Sequence, residues 1–524
     1  MDAVRRYDVV VLGGAFSGAS AALLLRRDHP HLSVLVVEKQ EAFDAKVGEA
    51  TTEMSGMFLT RRLAQWQHLE SEHLPKEGLR YWWANERVHG HAEASETGGY
   101  LRSTVPSFQL RRDALDEHLL ASAVAEGAEL LRPARAREVE LGDHDHRLTI
   151  EVGDRIETVA CRWLLDATGR ATFLGKRLGL VERNEEHPTA AVWGRWQGVR
   201  HIDDLVARGP LPLARRNVSS RRLATNHYMG YGYWIWVIPL GNGETSVGIV
   251  YDRRIHALDQ GRDREADYLA FLRAIPALAE LLDGARLRSE DLRGYSHLPY
   301  VCRQYMGPGW ALLGDAAAFL DPYYSPGLDH AAFTVESTVA IVGAQTAGEN
   351  VEARVAEHNA AFQRSYWRFF RAAFKDKYFY MGEHDLLSAS VLIDTAQYYI
   401  FLVIPAYKLY GRFHWEPVLG PKPAFISYHL MRLYNRRLAK IALARRAAGE
   451  AGRRNDGRRV AVFYNLGFSP LRMAAKGVRL WLGAELDLLR IHLKRLGSVI
   501  PSTARNRAGE RAAEPPPDPS RLSG

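Results

Sequence analysis

The chain has 524 residues, 47% of them hydrophobic and 25% charged, and its net charge is +8. Such a composition is typical of a soluble enzyme with two closely joined domains and extensions. With only Cys161 and Cys302, the sequence excludes a disulfide framework and favours a reducing compartment. No signal peptide precedes the first predicted strand, and the apolar run at 398–407 is too short to span a bilayer. A soluble cytoplasmic protein is therefore expected.

The first predicted elements form a βαβ unit, written YDVVVLGGAFSGASAALLLRRDHPHLSVLVVEK at 7–39. The apolar run VVVL predicts a strand buried on both faces, the glycine turn leads into a helix, and VLVVE is the second strand. Glu38 follows Gly18 by 20 residues, the spacing at which a carboxylate accepts hydrogen bonds from a ribose. Ala15 replaces the middle glycine of G-x-G-x-x-G and crowds the pyrophosphate slightly. The unit predicts a dinucleotide whose pyrophosphate sits at the helix N-terminus. The predicted contacts are Gly13, Gly14, Ala15, Phe16, Ser17, Gly18, Glu38 and Lys39.

Three later segments extend this pattern. They are QLRRDALDEHLL at 109–120, RWLLDATGR at 162–170 and GWALLGDAAAFLDPYYSPGLDHA at 309–331. In the last segment a strand and a turn precede small residues that are predicted to open a helix; Asp315 suits a ribityl hydroxyl, and residues 325–328 suit the isoalloxazine edge. Together the segments resemble those of FAD-dependent aromatic hydroxylase-like flavoproteins, over residues 7 to about 340. The resemblance implies FAD, and no second glycine fingerprint suggests a nicotinamide site. The further implied contacts are Arg112, Asp166, Gly169, Gly314, Asp315, Pro322, Gly327 and Leu328.

The run YWIWVIPL at 233–240 carries the pattern W-x-W-x-I-P, which places Trp234 and Trp236 on one face of a strand. KVGEATTE at 46–53 resembles a segment that lines the flavin in related proteins. SVGIVYD at 246–252 resembles the strand and turn that follow the tryptophan motif in the same proteins. These motifs resemble those of flavin-dependent halogenases. The resemblance implies that the paired indoles form a wall between the flavin and the organic substrate. The contacts implied by the second motif are Gly48, Glu49 and Ala50.

The resemblance also implies the chemistry. In the family, reduced FAD and oxygen convert a halide ion to hypohalous acid, which travels to a lysine in a separate substrate pocket. In HLPKEGLRYWW, Lys76 matches that lysine, although His73 stands where phenylalanine is usual for phenolic substrates; the alternative is a surface lysine. Backbone N–H groups after the D-P pair hold the halide, and here these are Gly327 and Leu328, because Pro326 has no N–H. The implied catalytic residues are Lys76, Trp234 and Trp236.

The implied partners are a separate flavin reductase that supplies reduced FAD and an aromatic substrate of specialised metabolism, phenolic or pyrrolic, free or carrier-protein-bound. Two alternatives stay open. One is a flavin-dependent monooxygenase or dehydrogenase without halogenation, and the other is an accessory protein-modifying flavoprotein. No metal site is expected, because the 20 histidines are scattered and neither cysteine has a companion at ligand spacing.

The expected fold is α/β: a GR2/PHBH-like Rossmann-type FAD-binding core, an interleaved β-sheet substrate domain and a helical C-terminal extension. A flavin-dependent module covers 1–345. The expected boundaries are 1–60, 105–175 and 295–345 for the FAD-binding segments, 61–104 and 176–294 for the substrate-side β-layer, 346–500 for a helical C-terminal domain and 501–524 for a disordered tail.

The C-terminal region is predicted to be basic and amphipathic. Between 431 and 510 there are 18 Lys or Arg and 5 Asp or Glu, a net charge of +13 that leaves about −5 for the rest of the chain. An apolar stripe is predicted from leucines at alternating spacings of four and three: Leu482, Leu486, Leu489, Leu493 and Leu496. One interpretation is a helix packed on the body or on a second copy; the other is contact of 431–500 with an acidic protein or a membrane surface. Nucleic acid is not expected, since no recognition motif accompanies the charge.

Overall fold

The computed structural model of the chain describes residues 4–207, 219–258, 263–408 and 416–499, with side chains up to residue 494. The predicted tail at 501–524 lies outside the described residues. Within them the chain forms two large β-sheets, each covered by helices, and a mostly helical C-terminal region that packs on both layers.

The first sheet has eight strands and is built around the N-terminal strand. Its strands are, from one edge to the other, Met306–Gly307, Trp310–Leu312, Arg155–Asp166, Arg5–Leu12, Val34–Val37 and Glu129–Leu131, and the strands Ala134–Glu140 and His146–Val152 extend it beside Arg155–Asp166. Strand Arg5–Leu12 pairs in parallel with both of its neighbours. Its residues at 9–11 are fully buried, because a parallel strand in the centre of a sheet is covered on both faces. The predicted βαβ unit is confirmed by the helix Phe16–Asp28 between the first two strands.

The second sheet has nine strands and forms the substrate-side layer. Its strands are Arg286–Leu287, Thr189–Gln197, Thr245–Asp252, Tyr233–Pro239, Thr225–Gly230, Leu79–Trp83, Ser95–Gly99 and Arg459–Val462, with Arg293–Tyr295 also paired to Thr189–Gln197. Alternation along Tyr233–Pro239 sends Trp234 and Trp236 into the main core, while Ile235 and Val237 enter a separate core on the opposite face. The sheet therefore has two different buried faces, and only one of them meets the first layer.

Smaller elements connect the two layers. Two small sheets are formed by Val181–Arg183, Tyr300–Cys302 and Ala318–Phe319, and by Leu74–Pro75 and Phe108–Gln109. The α-helices before residue 350 are Phe16–Asp28, Glu53–Met57, Trp66–Glu72, Arg112–Ala125, Phe173–Arg177, Ile202–Ala207, Arg264–Arg273, Pro276–Leu281 and Gly327–Thr346. Both cysteines are buried and free, as the sequence predicts.

The segment after Gly314 departs from the prediction of a helix opened by small residues. Gly314–Ala316 form a single 3-10 turn, Ala318–Phe319 form a strand, and the helix begins only at Gly327. The early helix was a wrong prediction because this segment pairs with Tyr300–Cys302 instead. Two further residues, at 324 and 325, have positive φ angles of 73° and 56°, a conformation that interrupts a helix.

In the part of the C-terminal region that the structure describes, most residues are helical and one strand is present. Its α-helices are Glu352–Phe369, His384–Tyr398, Ile404–Lys408, Phe425–Ala447 and Ser469–Val499. The strand Arg459–Val462 pairs in parallel with Ser95–Gly99, so the expected helical region 346–500 also contains a strand. The edge of the nine-stranded sheet leaves backbone N–H and C=O groups that a passing segment can satisfy. The region is thereby joined to the substrate-side layer by a β-ladder.

One helical stretch among the described residues, His384–Lys408, is long and apolar enough to cross a membrane by length and composition alone. Most of it is buried. The helix His384–Tyr398 packs against Ser469–Val499, and its leucines at 386, 387 and 392 are inaccessible to solvent. The stretch is therefore placed as a core helix of the C-terminal region.

Candidate active site

A cavity of about 780 Å³ is lined by residues of both large sheets. Fifteen of the nineteen residues predicted to contact the cofactor line it. They are Gly13, Ala15, Phe16, Ser17, Glu38, Lys39, Gly48, Glu49, Ala50, Arg112, Gly169, Asp315, Pro322, Gly327 and Leu328. The remaining four are Gly14, Gly18, Asp166 and Gly314. The tertiary structure thus brings together segments as far apart in the chain as Gly13 and Leu328.

At the nucleotide end, the helix Phe16–Asp28 begins without a side-chain cap, so its first N–H groups are available to an anion. The Glu38 carboxylate accepts the N–H of Gly14 at 2.7 Å and that of Gln40 at 2.8 Å. It still lines the cavity and keeps lone pairs for a ribose hydroxyl. A Cβ on Gly18 would lie 1.8 Å from the carbonyl oxygen of Gly13, so Gly18 permits the close turn without touching the cavity.

Asp166 does not line the cavity, which corrects its predicted role as a cofactor contact. It is fully buried, and its carboxylate accepts the N–H and hydroxyl of Thr168 and the N–H of Leu174 at 2.7–2.9 Å. These bonds hold the turn after the strand, and that turn presents Gly169 to the cavity. Gly314 is also excluded: its φ of +54° is left-handed, and a Cβ there would lie 2.6 Å from Ser17 Oγ.

Toward the centre of the cavity, polar groups lack protein partners. The Asp315 carboxylate accepts no hydrogen bond from any residue that the structure describes, and burial raises its pKa against the nearby Arg170 and Arg112. His330 Nε2 is buried without a hydrogen-bond partner, and burial lowers the pKa of His330 to about 4. A Cβ on Gly327 would meet nothing within 4 Å. Unsatisfied buried acceptors beside open space fit a polyhydroxylated ligand such as FAD.

Two indoles form one wall of this cavity. The ring centroids of Trp234 and Trp236 are 5.9 Å apart, and Trp193 extends the wall at 6.4 Å from Trp236. Gly248, on the neighbouring strand, makes room for the wall: a Cβ there would lie 2.1 Å from Trp236 Cζ2. The predicted placement of both tryptophans on one strand face is confirmed.

The Trp234 indole is held by a buried hydrogen-bond chain. Its Nε1 donates to Tyr378 OH at 3.0 Å, and Tyr378 OH donates to Asp321 Oδ2 at 2.7 Å. His187 Nε2 lies 2.8 Å from the same carboxylate oxygen. An indole held by a carboxylate-backed phenol has little freedom to rotate. Sequence reasoning missed Tyr378 and His187, which lie far from the motif, although Asp321 belongs to the D-P pair.

The Trp236 indole has a second anchor. Its Nε1 donates to Ser246 Oγ at 3.0 Å, and the Ser246 hydroxyl lies near enough to Glu49 to lower the pKa of that carboxyl. Arg195 donates to Glu49 Oε1 at 2.6 Å and to Asp291. Burial raises the pKa of Glu49, whereas Arg195 and Ser246 lower it. The Glu49 side chain therefore orients the wall through Ser246, in addition to lining the cavity.

Lys76 is buried, with only 5% of its surface exposed, so the alternative of a surface lysine is wrong. Its Nζ donates to the Thr51 carbonyl oxygen at 2.5 Å, and its backbone N–H donates to Ser107 O at 2.8 Å. Burial lowers the pKa of Lys76 to about 8, while the carboxylates of Glu53 and Asp329 act to raise it. Lys76 does not line the cavity, but Asp329 does. The amine thus lies one layer behind the cavity surface.

Glu53 and Asp329 were missed as site residues, although both stand beside predicted contacts. Glu53 Oε1 accepts from Tyr399 OH at 2.8 Å, and burial raises its pKa. Asp329 Oδ1 accepts from Thr52 Oγ1 at 2.5 Å and from Ser55 N–H at 3.0 Å. Burial raises the pKa of Asp329 to about 6. Two carboxylates of raised pKa therefore flank an amine of lowered pKa in one water-poor region.

His73, the residue that departs from the family pattern, is buried beside Lys76. Its Nδ1 accepts the N–H of Arg111 at 3.1 Å, and its ring packs edge-on against His68 at 5.1 Å. Burial lowers the pKa of His73 to about 4, so the ring is neutral at pH 7. A neutral imidazole packed among other rings fills space much as an aromatic ring does.

The region proposed for the halide is the start of the 20-residue helix Gly327–Thr346. Pro326 precedes the helix and has no side-chain cap, so the first N–H groups are those of Gly327 and Leu328. Both residues line the cavity. The partial positive charge of a helix N-terminus favours an anion there. Among the described residues no cluster of side chains suits a metal ion.

The chain is similar in sequence to FAD-binding proteins and halogenases. The model of the family described as "FAD binding domain" matches residues 6–333. A flavin-dependent halogenase, chlA, of Dictyostelium discoideum is 26% identical over 485 residues, covering 84% of this chain and 77% of the relative. The 1H-pyrrole-2-carbonyl-[peptidyl-carrier protein] brominase of Pseudoalteromonas luteoviolacea is 25% identical, covering 63% and 76%. Tetracycline 7-halogenase of Kitasatospora aureofaciens is 26% identical, covering 62% and 61%.

Solved structures of halogenases share the fold. The crystal structure of halogenase PltM superposes with a TM-score of 0.69 at 19% identity, covering 92% of this chain and 96% of that one. The chondrochloren halogenase CndH superposes with a TM-score of 0.61, covering 82% and 97%. The predicted fold class, the resemblance to flavin-dependent halogenases, the FAD cofactor and the enzyme class, an FAD-dependent oxidoreductase, are confirmed. Because the family match spans more than half of its length, the chain belongs to the FAD-binding domain family.

Proposed function

We propose that this protein is an FAD-dependent halogenase of an aromatic substrate. The observation that carries the proposal is the buried amine of Lys76, which lies behind a cavity walled by two indoles and is flanked by Glu53 and Asp329. A hydroxylase needs its substrate beside the cofactor ring. A wall of fixed indoles on the cavity with a reactive amine behind it suits instead a small oxidant that diffuses between separate sites.

The residues lining the cavity are proposed to hold FAD. The glycine turn and the helix N-terminus at Phe16 bind the pyrophosphate, Glu38 accepts from the ribose, and Asp315 accepts from the ribityl chain. When bound in its reduced form, FAD supplies the electrons with which oxygen oxidises a halide ion. The chain's part at that end is to orient the ring against Pro322 and to keep the organic substrate away with Trp234.

Lys76 is proposed to hold the oxidised halogen. Attack on an electrophilic halogen needs the free lone pair of the neutral amine. With a pKa of about 8, about a tenth of Lys76 is neutral at pH 7, against about one in three thousand for an ordinary lysine. The protonated remainder can donate a hydrogen bond to the same oxidant. Burial therefore raises the reactive fraction by about 300-fold.

Glu53 is proposed to take the proton that the aromatic ring loses when halogen replaces hydrogen. Its raised pKa makes it a stronger base than an exposed carboxylate, and the hydroxyl of Tyr399 fixes one of its oxygens. Asp329 accepts hydrogen bonds from Thr52 and from the Ser55 N–H at the start of the helix Glu53–Met57, which suits a positioning role. The two carboxylates also stabilise the positive charge of Lys76 between turnovers.

The proposed substrate is an aromatic ring, phenolic or pyrrolic, either free or carried by a protein. The names of a tetracycline halogenase and a carrier-protein brominase among the relatives support this class. A separate reductase is proposed to deliver reduced FAD, because the sequence has no second dinucleotide fingerprint. A soluble cytoplasmic enzyme is proposed because both cysteines are free and the long apolar helical stretch His384–Lys408 is mostly buried.

The domain division is also proposed. The FAD-binding segments 1–60, 105–175 and 295–345 are supported by the eight-stranded sheet, whose strands all fall within them. The substrate-side segments 61–104 and 176–294 are supported by the nine-stranded sheet, apart from Arg293–Tyr295 in part and Arg459–Val462. The region 346–500 then covers the substrate-side layer as a cap.

A flavin monooxygenase without halogenation is the second candidate, and one observation favours it. Pro326 removes an N–H group from the turn proposed to hold the halide, which leaves Gly327 and Leu328 as donors. Loss of one hydrogen-bond donor weakens an anion site by about 0.5–1.5 kcal/mol. A protein that turned over without halide would be explained by that loss.

Product analysis tests the proposal. The purified protein is combined with a flavin reductase, FAD, NADH and oxygen, and with chloride, bromide or neither, over a panel of phenols and pyrroles. Halogenation predicts a product with the isotope pattern of chlorine or bromine, formed only when that halide is present. An oxygenated product that forms equally in all three mixtures would instead establish the monooxygenase. Carrier-tethered analogues of the same rings separate free from carrier-bound substrates.

A further inference from the structure

Exposed apolar side chains are concentrated on the C-terminal helices. Of the 18 large apolar side chains that are exposed in the described part of the chain, 13 lie between Phe401 and Leu493. Nine of them form what we name the leucine face: Ile426, Leu430, Leu433, Leu471, Val478, Leu482, Leu486, Leu489 and Leu493. Leu482 is 57% exposed and Leu486 is 68% exposed. A cluster of this kind on one surface marks an interaction site.

The leucine face follows from helix periodicity. In the helix Ser469–Val499 the buried positions are Met473, Ala484, Leu488 and Ile491, and these face the body. The predicted leucine stripe is a different stripe of the same helix. The helix itself packs on the body, as one interpretation expected, but the described leucines of the predicted stripe are exposed and do not make that contact.

The two helices of the leucine face lie side by side and run in the same direction. Arg437 donates to Glu485 at 2.8 Å, and the rings of Tyr434 and Trp481 are 6.1 Å apart. The earlier residue of one helix contacts the earlier residue of the other, and the later contacts the later, so the two helices are parallel. From Leu471 to Leu493 the exposed stripe is about 33 Å long, at 1.5 Å per residue. The face is thus a broad two-helix surface.

The charges around the leucine face are mostly positive, and some of them have no acidic partner among the described residues. The helix Phe425–Ala447 contains no Asp or Glu. Two exposed cations, Arg472 and Arg479, make no ion pair with any residue that the structure describes. Three more form no direct ion pair but act on nearby carboxylates, Arg432 and Arg436 on Asp376 and Lys440 on Glu485. The two acidic residues of the helix Ser469–Val499 are already used, Glu485 by Arg437 and Asp487 by Arg445 and Arg454. The free charge at this surface is therefore cationic.

We propose that the leucine face binds the surface of an anionic lipid membrane, with both helices lying in the plane of the headgroups. Aliphatic side chains flanked by arginine and lysine match such a surface, because the apolar groups enter the acyl boundary while the cations meet lipid phosphates. A second copy of the chain would bring the same unpaired cations together at the edge of the contact. This inference does not depend on halogenation.

Vesicle flotation tests the inference on the full-length protein loaded with FAD, without substrate or halide. The vesicles are of phosphatidylcholine alone or of phosphatidylcholine with one third phosphatidylglycerol. We expect the protein to float with the anionic vesicles and to be released by high salt, because charge attraction decays within a Debye length of about 3 Å at 1 M salt. A protein that remains unbound to anionic vesicles at low salt overturns the inference.

Matched substitutions locate the contact. The double variant Leu482→Glu, Leu486→Glu is expected to lower anionic-vesicle binding at least tenfold, because both side chains would have to bury a charge in the acyl boundary. Ile156→Glu makes the same change at a residue that is 63% exposed on the FAD-binding layer, and it is expected to leave binding unchanged. Equal losses in both variants would overturn the inference. Yellow FAD absorbance confirms that each variant is folded.

Charge substitutions separate lipid from protein partners. Arg472→Gln with Arg479→Gln is expected to lower binding to anionic vesicles about tenfold or more, at about 1 kcal/mol for each cation, and to leave any binding to neutral vesicles unchanged. Sedimentation of the free protein then checks the other occupants. If Leu482→Glu converts a dimer to a monomer while the dimer ignores vesicles, the face joins two copies and the membrane inference fails. If an acidic carrier protein binds the face and vesicles do not, it fails equally.

Discussion

The two sides of the indole wall differ in what their polar groups contact. On the cavity side, His330 keeps a buried ring nitrogen without a protein partner and the half-buried Asp315 lines the cavity, next to glycine backbone that opens onto empty volume. Behind the wall, the polar groups bind one another: Lys76 to Thr51, and Glu53 to Tyr399. Unpaired buried groups are costly unless a ligand pairs them, whereas paired groups in a low dielectric hold shifted pKa values. The first side is therefore built to receive a ligand, and the second to tune an amine.

The largest expected effect breaks the cavity side. Gly18→Val places a Cβ within 1.8 Å of the Gly13 carbonyl oxygen, in backbone that has no room to move. We expect the purified variant to lack FAD altogether, measured as loss of the yellow absorbance. Gly483→Ala, where a Cβ meets nothing within 4 Å, is the matched control and should retain full FAD. FAD retained by the Gly18 variant would contradict the proposed pyrophosphate site.

The next largest effect concerns Lys76 and leaves the FAD-binding cavity intact. Lys76→Ala removes the buried amine but no cavity-lining side chain, so halogenation should fall by at least 1,000-fold while FAD binding is unchanged. Product formation and flavin absorbance are measured on the same sample. Lys176→Ala changes an exposed lysine and serves as the control. Halogenation at the wild-type rate by the Lys76 variant would remove this residue from the mechanism.

The pH dependence sharpens the comparison. Because the neutral amine attacks, and the pKa of Lys76 is about 8, the single-turnover halogenation rate should rise about tenfold per pH unit below pH 8 and level off above it. FAD affinity depends on groups that line the cavity, so it should not show the same rise with pH. Lys76→Arg stays protonated throughout and should show no rising limb. A wild-type profile that is flat from pH 6 to pH 9 would contradict the assignment.

Weakening the indole wall should reduce the separation between the cofactor cavity and the region of Lys76. Tyr378→Phe removes the hydroxyl that links Trp234 to Asp321, leaving an indole N–H and a carboxylate oxygen each one partner short. We expect about a tenfold loss of halogenation, with more of the reducing equivalents lost as hydrogen peroxide. Ser246→Ala, which releases Trp236 in the same way, should act in the same direction. Unchanged coupling in both variants would show that the anchors do not matter.

The smallest effect concerns the halide. Pro326→Ala restores an N–H group before the helix Gly327–Thr346. If the halide binds there, its apparent KM should fall about two- to tenfold, the effect of one added hydrogen bond of about 0.5–1.5 kcal/mol. The KM for the aromatic substrate should not change. An unchanged halide KM would place the halide elsewhere.

The cofactor side was largely predictable from the sequence. The glycine turn, Glu38 and the buried strand around Val10 are local, since turn geometry and strand burial leave their mark on consecutive residues. Asp166 was recognised as part of a motif, but its role was not. Its carboxylate turned inward to the N–H groups of Thr168 and Leu174, a choice that depends on burial.

The side behind the wall was only partly predictable. Lys76 could be proposed from its segment, but the sequence alone does not distinguish a lysine on a surface loop from a buried one. Its shifted pKa arises from Glu53, Asp329 and the loss of water, and these meet only in three dimensions. Tyr378 and His187, which hold the wall, come from segments nearly 200 residues apart.

By itself, the sequence determined the FAD-binding βαβ unit, the placement of the two indoles on one strand face and the amphipathic character of the last helix. Each depends on spacing along the chain, which backbone geometry converts directly into direction. The tertiary structure alone decided which stripe of that helix is buried, that Arg459–Val462 completes a sheet, and that the amine lies among carboxylates. Those outcomes depend on contacts between distant segments and on the water that such contacts exclude.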